Sequence, residues 1–195
     1  MTSILKFSII AAIFAVSLAA WRRPLNPRDA KLLSAALAFT VVADFFMLIA
    51  LNYEVGLLAF ICVQILYNKR YGGLKPWHSA ALAALFYALA YFAVGATVLV
   101  SLALAYTVLF GFSLTAAIRC TVSGVYPGPN KYLVLAGMLG YAICDVFVAL
   151  LNSGTLYATQ HEHMIVLIIW LFYIPGKFML AVSGFKYSEK FLQTS

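Results

Sequence analysis

Charged residues are scarce in this chain: lysine, arginine, aspartate and glutamate together make up only 10% of its 195 residues. Soluble globular domains carry about 25% charged residues, so the low charge excludes that class. Apolar residues account for 65% of the chain, and the mean hydropathy is +0.97. These values predict an integral membrane protein.

Cysteine is scarce as well. Cys62, Cys120 and Cys144 each lie inside an apolar run, without a CxxC or Cys/His spacing. Neither a disulfide framework nor a structural zinc site is therefore supported. The HEH tripeptide at residues 161–163 lacks the HExxH spacing of zinc enzymes, and we interpret its histidines as solvated loop residues. We expect no metal or other cofactor.

Seven apolar runs approach the length of about 20 residues that a membrane-spanning helix needs. They are Ser3–Trp21, Lys31–Leu51, Glu54–Tyr67, Ser79–Ala93, Thr97–Cys120, Tyr132–Leu151 and Met164–Gly184. The third and fourth runs are short, and the break between the fourth and fifth depends on Gly95. We predict an all-α polytopic membrane helix bundle that forms a single transmembrane domain over residues 1–195.

The basic residues fall between the apolar runs, which indicates membrane topology rather than nucleic-acid binding. Lys6, near the start of the first run, is the only basic residue on one predicted side of the membrane, and Lys177 lies inside the seventh run. The segments after the first, third, fifth and seventh runs hold Arg22, Arg23, Arg28, Lys31, Lys69, Arg70, Lys75, Arg119, Lys131, Lys186 and Lys190. The positive-inside rule then predicts an external N-terminus and a cytoplasmic C-terminus. Compact loops favour a bacterial inner (cytoplasmic) membrane.

Two lone carboxylates, Asp44 and Asp145, interrupt the second and sixth apolar runs. An ionisable side chain inside a spanning helix is costly unless a partner, a proton or water relieves it, so such residues usually serve a function. The two runs end at Asn52 and Asn152 and have the same predicted direction. Both aspartates then lie about 10 to 12 Å below the outer boundary. We expect them to face each other in one wet pocket, whereas a structural role for each remains the alternative.

Other polar side chains fall at a similar predicted depth, about 14 to 15 Å from the outer boundary. These are Gln64, Tyr106 and Tyr173, and Lys177 follows Tyr173 one turn deeper. The candidate substrate-binding residues are Gln64, Tyr67, Tyr106, Tyr173 and Lys177. Ordinary interhelical hydrogen bonds are the alternative for the uncharged residues. Lys177 either neutralises an aspartate or meets a phosphate, or else extends its amine towards the cytoplasm.

A weak internal similarity relates the two aspartate runs. The segment ADFFMLIALN resembles the segment CDVFVALLN, which lies about 101 residues later in the chain. The similarity predicts parallel repeats over residues 1–71 and 97–186, joined by a linking helix at 79–93. Chance similarity between two runs rich in leucine and phenylalanine is the alternative.

Four sequence blocks resemble a known family. They are RRP leading into KLLSAALAFTVVADFFMLI; GLLAFICVQILY; LALAYTVLF; and GMLGYAICDVFVALLN with WLFYIPGK. In this order and spacing they resemble the YhhN-like lysoplasmalogenases, integral membrane enzymes that open the vinyl ether bond of lysoplasmalogens. The family is generally drawn with eight helices. The chain differs from the usual family pattern at Ala43, Gln64, Cys144 and Lys177, where glycine, histidine, serine and glutamine are usual.

The resemblance implies a hydrolase that takes a lysophospholipid from the bilayer and releases a fatty aldehyde and a glycerophospho-alcohol. Vinyl ether hydrolysis needs one carboxylic acid that protonates carbon and one carboxylate that orients water. A buried pair of aspartates supplies both, which assigns acid and base catalysis to Asp44 and Asp145. The main alternative is a small-solute or proton-coupled transporter with the two aspartates as its coupling site. A lipid-binding or scaffold protein is the third hypothesis.

Overall fold

The computed structural model describes residues 2–187, which form helices apart from connections and one isolated bridge between Pro24 and Phe185. The α-helices in this range are α1 (Ser3–Ala19), α2 (Pro27–Leu48), α3 (Tyr53–Arg70), α4 (Pro76–Ala88), α5 (Val98–Val122), α6 (Gly128–Leu151), α7 (Leu156–Gln160) and α8 (Glu162–Val182). Five spans have the length and composition to cross a membrane: α1 together with the 3-10 turn Ala20–Arg22 that follows it, and α2, α5, α6 and α8. The all-α prediction is confirmed for residues 2–187, and the five spans agree with an integral membrane protein.

Each predicted run contains one long helix, and local capping explains where the boundaries differ. The second helix begins at Pro27 rather than Lys31, because the Asn26 side chain accepts a hydrogen bond from the Arg28 amide at 2.8 Å. Proline at the first helical position lacks an amide hydrogen that would otherwise be unpaired. The cap therefore adds slightly more than one turn to the predicted helix.

The break between the fourth and fifth runs occurs at Gly95, as predicted. A π-helical turn, Leu89–Ala93, extends α4 up to this point. Gly95 then adopts a φ of +72°, a conformation that glycine reaches without the steric cost of a side chain. Thr97 caps the following helix by accepting a hydrogen bond from the Val100 amide at 3.3 Å.

The prediction of a plain loop around residues 161–163 is wrong. Thr155 accepts a hydrogen bond from the Ala158 amide at 3.3 Å and so starts the short helix α7. His161 stacks on the ring of Tyr157, with centroids 4.4 Å apart. Glu162 and the residue after it belong to the first turn of α8, so a capped helical turn replaces most of the predicted loop.

Six long helices pack in a closed ring. Each helix in the order α1, α2, α3, α5, α6, α8 contacts the next one, and α8 returns to α1. Helix α4 lies outside this ring, against α3 and α5. The order places α2 and α6 on opposite sides of the ring, three steps apart in either direction. The polar side chains described below lie inside it.

Glycines bring α6 and α8 into close contact. A Cβ atom on Gly137 would lie 2.9 Å from the carbonyl oxygen of Gly176, and one on Gly176 would lie 3.1 Å from the carbonyl oxygen of Gly137. Small residues at such positions let two membrane helices approach backbone to backbone. This approach carries Tyr141 on α6 up to Lys177 on α8.

A buried ion pair joins four parts of the chain at one end of the bundle. Arg70 at the end of α3 donates from Nε and Nη2 to the two carboxylate oxygens of Asp29, each at 2.9 Å. It also donates to Ser183 after α8 at 2.9 Å. Burial raises the pKa of the Tyr126 phenol, which stays protonated and donates to Asp29 at 2.5 Å.

The segments that form this network contain or adjoin most of the basic residues. They lie together at one end of the bundle, as expected if successive helices cross the membrane in opposite directions. The network includes the start of α2, the end of α3, the connection between α5 and α6, and the end of α8. Lys190, which was counted among the basic residues of this end, lies outside the described residues. The side of the membrane that this end faces stays a prediction, as do the internal repeats.

Candidate functional site

Asp44 lies on the buried face of α2. Leu37 and Thr40 precede it on this face, and the spacings of three and four residues follow the helical period. The side chain is 4% exposed. Its Oδ2 atom accepts a hydrogen bond from the Tyr173 hydroxyl of α8 at 2.8 Å, so α8 holds the first carboxyl group.

Asp145 lies on α6 and is half-buried. Its Oδ2 atom accepts a hydrogen bond from the Tyr106 hydroxyl of α5 at 2.5 Å. The hydroxyl oxygens of Tyr106 and Tyr141 are 2.9 Å apart. Tyr141 precedes Asp145 by one helical turn, so both side chains share one face of α6. The second carboxyl group is therefore held by a pair of tyrosines, and it is the more accessible of the two.

The two carboxyl groups bind different tyrosines, Tyr173 and Tyr106, rather than each other. Helices α2 and α6 are not neighbours in the ring. The rings of Tyr141 and Tyr173 meet edge to face with centroids 5.9 Å apart. That the two carboxyl groups face each other in one wet pocket stays a prediction.

Lys177 lies among the aromatic rings next to the two carboxyl groups. Its Nζ atom is 3.3 Å from the centroid of the Tyr141 ring, and the residue is 0% exposed. The amine therefore does not extend to the membrane surface. Within the described part of the chain, Nζ has no hydrogen-bond partner. The same atom is 5.2 Å from the centroid of the Tyr173 ring, whose hydroxyl binds Asp44. The amine therefore lies beside tyrosines that connect to both carboxyl groups.

The remaining predicted residues also point into this region. Gln64 is fully buried, and its Nε2 atom donates to the Tyr106 hydroxyl at 3.5 Å. Its Oε1 atom accepts a hydrogen bond from Ser113 at 2.6 Å. Tyr67 places its ring centroid 5.9 Å from the Lys177 amine, and its hydroxyl is buried without a partner among residues 2–187. A buried polar atom without a partner marks a position for water or a ligand.

Three side chains near the carboxyl groups were not predicted from the sequence: Tyr141, Cys144 and Ser113. Tyr141 was identifiable, because a spacing of four residues places it on the face of Asp145. Cys144 is 3% exposed and immediately precedes Asp145 on α6. No sequence pattern marked Ser113 as part of the site, because serines in membrane helices usually donate a hydrogen bond to the backbone of their own helix.

The carboxylate cluster, defined as Asp44, Asp145, Tyr106, Tyr141, Tyr173 and Lys177, has the composition needed for acid and base chemistry. A low-dielectric interior favours states without net charge. One ammonium and two carboxyl groups are neutral when one carboxyl is ionised and the other keeps its proton. As for metals, no group of three or more His, Cys, Asp and Glu side chains gathers within residues 2–187.

Comparison with known proteins gives one result. The model of the YhhN family matches residues 1–184, which is nearly the whole chain. Searches of the curated proteins and of the solved structures gave no significant match. The matched range contains every member of the carboxylate cluster. The chain therefore belongs to the YhhN family.

Proposed function

We propose that this protein is a membrane hydrolase that cleaves the vinyl ether bond of lysoplasmalogens. The products are a fatty aldehyde and a glycerophospho-alcohol. The observation that carries the proposal is the network in which Tyr173 binds Asp44 and Tyr106 binds Asp145, while the buried Lys177 amine lies 3.3 Å and 5.2 Å from the ring centroids of Tyr141 and Tyr173. Membership of the YhhN family supports the same reaction class, because the blocks that define the resemblance contain both aspartates.

The reaction begins when the protonated carboxyl group transfers its proton to C2 of the alkenyl chain. This step leaves an oxocarbenium ion at C1. The ionised carboxyl group takes a proton from water as the water oxygen bonds to C1, which gives a hemiacetal. The bond between C1 and the glycerol oxygen then breaks as that oxygen takes the proton held by the second carboxyl group. The hydroxyl at C1 gives its proton to the first carboxylate as C1 becomes the aldehyde carbonyl. One water is consumed, one aldehyde and one alcohol form, and both carboxyl groups regain their original proton counts.

The cluster provides for these steps in three ways. Lys177 balances the charge of one carboxylate, so one acid and one base coexist in an apolar surrounding. The hydroxyls of Tyr106 and Tyr173 each bind one oxygen of a carboxyl group, which fixes its orientation and leaves the other oxygen for the substrate or water. The greater exposure of Asp145 makes it the carboxyl group that the lipid meets first.

The substrate enters from the bilayer, since the cluster lies on helices with the length and composition of membrane spans. We propose that α3 and α4 cross as well. Helix α3 has 18 residues, or about 27 Å, which approaches the hydrocarbon thickness of about 30 Å. Seven crossings give an external N-terminus and a cytoplasmic basic end. The compact connections fit a bacterial inner membrane.

The proposal is tested by product analysis with the purified wild-type protein in detergent. An alkenyl lysophosphatidylethanolamine is compared with the acyl lysophospholipid of the same chain length. We expect aldehyde from the alkenyl lipid and no fatty acid from the acyl lipid, because only a vinyl ether accepts a proton at carbon. Micelles without protein and the Asp44→Asn/Asp145→Asn double variant give the background.

Two results would contradict this function. Fatty acid release at a comparable rate would indicate an esterase. Absence of aldehyde together with solute flux in proteoliposomes would indicate the transporter, in which the two aspartates couple transport to protons.

A further inference from the structure

Two pockets meet at the end of the bundle that carries the basic residues. The first, which we call the basic pocket, has a volume of about 670 Å³ and includes Arg28, Lys69 and Arg119 in its lining. The second, which we call the apolar pocket, has a volume of about 590 Å³ and lies between α3 and α5. Both are lined by Tyr71, Gly72 and Arg119. The two pockets are therefore continuous at these residues.

The basic pocket has an excess of positive charge. Asp29 is the one acidic side chain in its lining, and Arg70 already binds both of its oxygens. Arg28, Lys69 and Arg119 are exposed. Among residues 2–187, the only salt bridge is that between Arg70 and Asp29, so the three exposed cations have no acidic partner there. This charge pattern favours an anion with several oxygens, such as a phosphate group.

The apolar pocket runs along α5 from Arg119 to Val108. Eleven residues of helix correspond to about 16 Å, or roughly half of the hydrocarbon thickness of a bilayer. Phe112 and Ala116 line the interval. Gly111 also lines it, and a Cβ atom built on this glycine has no neighbour within 4 Å. The pocket thus provides open apolar space of the depth that one leaflet occupies.

We propose that the two pockets together bind an anionic phospholipid from the leaflet at the basic end. The phosphate group lies in the basic pocket, one acyl chain lies in the apolar pocket, and Arg119 contacts the lipid where the two meet. Basic pockets between membrane helices commonly recognise anionic headgroups. The site differs from the carboxylate cluster in position and in residues, and its occupant is bound rather than cleaved. The inference stands independently of the proposed hydrolase activity.

The test is lipid retention, measured by native mass spectrometry of the full chain. The protein is purified in detergent with an equimolar mixture of phosphatidylglycerol and phosphatidylcholine. We expect one phosphatidylglycerol molecule to be retained in preference to phosphatidylcholine. Arg119→Gln should lower this retention about fivefold, the typical effect of one basic residue near a lipid headgroup. Lys69→Gln is a second variant in the same pocket and should act in the same direction.

Gly111→Leu tests the acyl chain. The leucine side chain extends into open space and replaces a poor helix former, so the helix is preserved while the apolar pocket is filled. We expect it to reduce the retention of phosphatidylglycerol. Two matched controls should leave retention unchanged: Arg22→Gln, which removes an exposed charge outside both pockets, and Ala84→Leu, which adds the same side chain on an exposed face of α4.

A free phosphate ion has the same chemistry as the phosphate group of a lipid. The variants distinguish binding of the free ion from binding of the lipid. If excess inorganic phosphate displaces the lipid and Gly111→Leu has no effect, the site binds a small anion and the lipid assignment is overturned. Equal retention of the two lipids, or retention unchanged in Arg119→Gln and Lys69→Gln, would overturn it as well. Circular dichroism and gel filtration establish that each variant is folded.

Discussion

Asp145→Asn is expected to reduce aldehyde release from an alkenyl lysolipid by a factor of about 10² to 10⁴. An asparagine amide has nearly the shape of the carboxyl group, and its oxygen still accepts the hydrogen bond of Tyr106. It neither protonates carbon nor removes a proton from water. Asp44→Asn should have an effect of the same order, because the reaction needs both groups. The measurement is the initial rate of aldehyde release per amount of folded protein.

Glu54→Gln is the matched control for these variants. It makes the same change from acid to amide at an exposed position in the first turn of α3, and the rate should stay within a factor of about two. The double variant should be about as inactive as either single variant, since residues that act as a unit are not additive in their effects. A single variant with the full wild-type rate and an intact bundle would remove that aspartate from the mechanism.

Arg70→Met is expected to lower the free energy of unfolding by about 3 to 5 kcal/mol. The guanidinium side chain is 0% exposed and binds Asp29 through two atoms. Its removal leaves a buried carboxylate without a cation and also takes a hydrogen bond from Ser183. Equilibrium unfolding in mixed SDS and dodecylmaltoside micelles, followed by circular dichroism, measures the change.

Two controls separate the lost ion pair from a general loss of charge. Lys69→Met removes an exposed cation one residue earlier on the same helix and should change stability by less than about 0.5 kcal/mol. Arg70→Met combined with Asp29→Leu should recover much of the loss, because no unpaired charge stays buried. If Arg70→Met were as stable as the wild type, the network at the basic end would not hold the four segments together.

The sequence predicted the elements of the fold well, because length, apolar runs and capping residues are local properties. The predicted fifth run begins at Thr97, which caps α5, and Gly95 separates α4 from α5. The predicted start of the second helix at Lys31 did not take the Asn26 cap into account. The order of helices around the ring is not local, since it depends on close contacts such as that between Gly137 and Gly176. The short helix α7 was missed because five residues carry too little periodicity to be recognised.

The difference between local sequence properties and contacts between helices also explains how far the carboxylate cluster could be predicted. The positions of Asp44 and Asp145 along their helices follow from the rise per residue, and each accepts a hydrogen bond from a tyrosine that the sequence placed at a similar level. Which tyrosine binds which aspartate depends on the rotation and neighbours of each helix. The sequence was compatible with either a buried or an exposed Lys177 amine. In the structure the amine is buried and contacts the Tyr141 ring.

The ion pair between Arg70 and Asp29 could not be predicted from spacing. The two residues are 41 positions apart and were grouped only as residues near helix ends. Nothing in either segment distinguishes the buried Arg70 from the exposed Lys69 beside it. The difference arises when the end of α3 packs against the residues that follow α5 and α8.

The most direct test of the central claim is the reaction of the wild-type protein with an alkenyl lysolipid in deuterium oxide. Proton transfer from a carboxyl group of the cluster to carbon places one solvent deuterium at C2 of the aldehyde. Immediate reduction of the product to the alcohol prevents later exchange, and mass spectrometry locates the label. The account predicts aldehyde that carries one deuterium at C2. Aldehyde without this label, or no aldehyde above the level of the double aspartate variant, would contradict it.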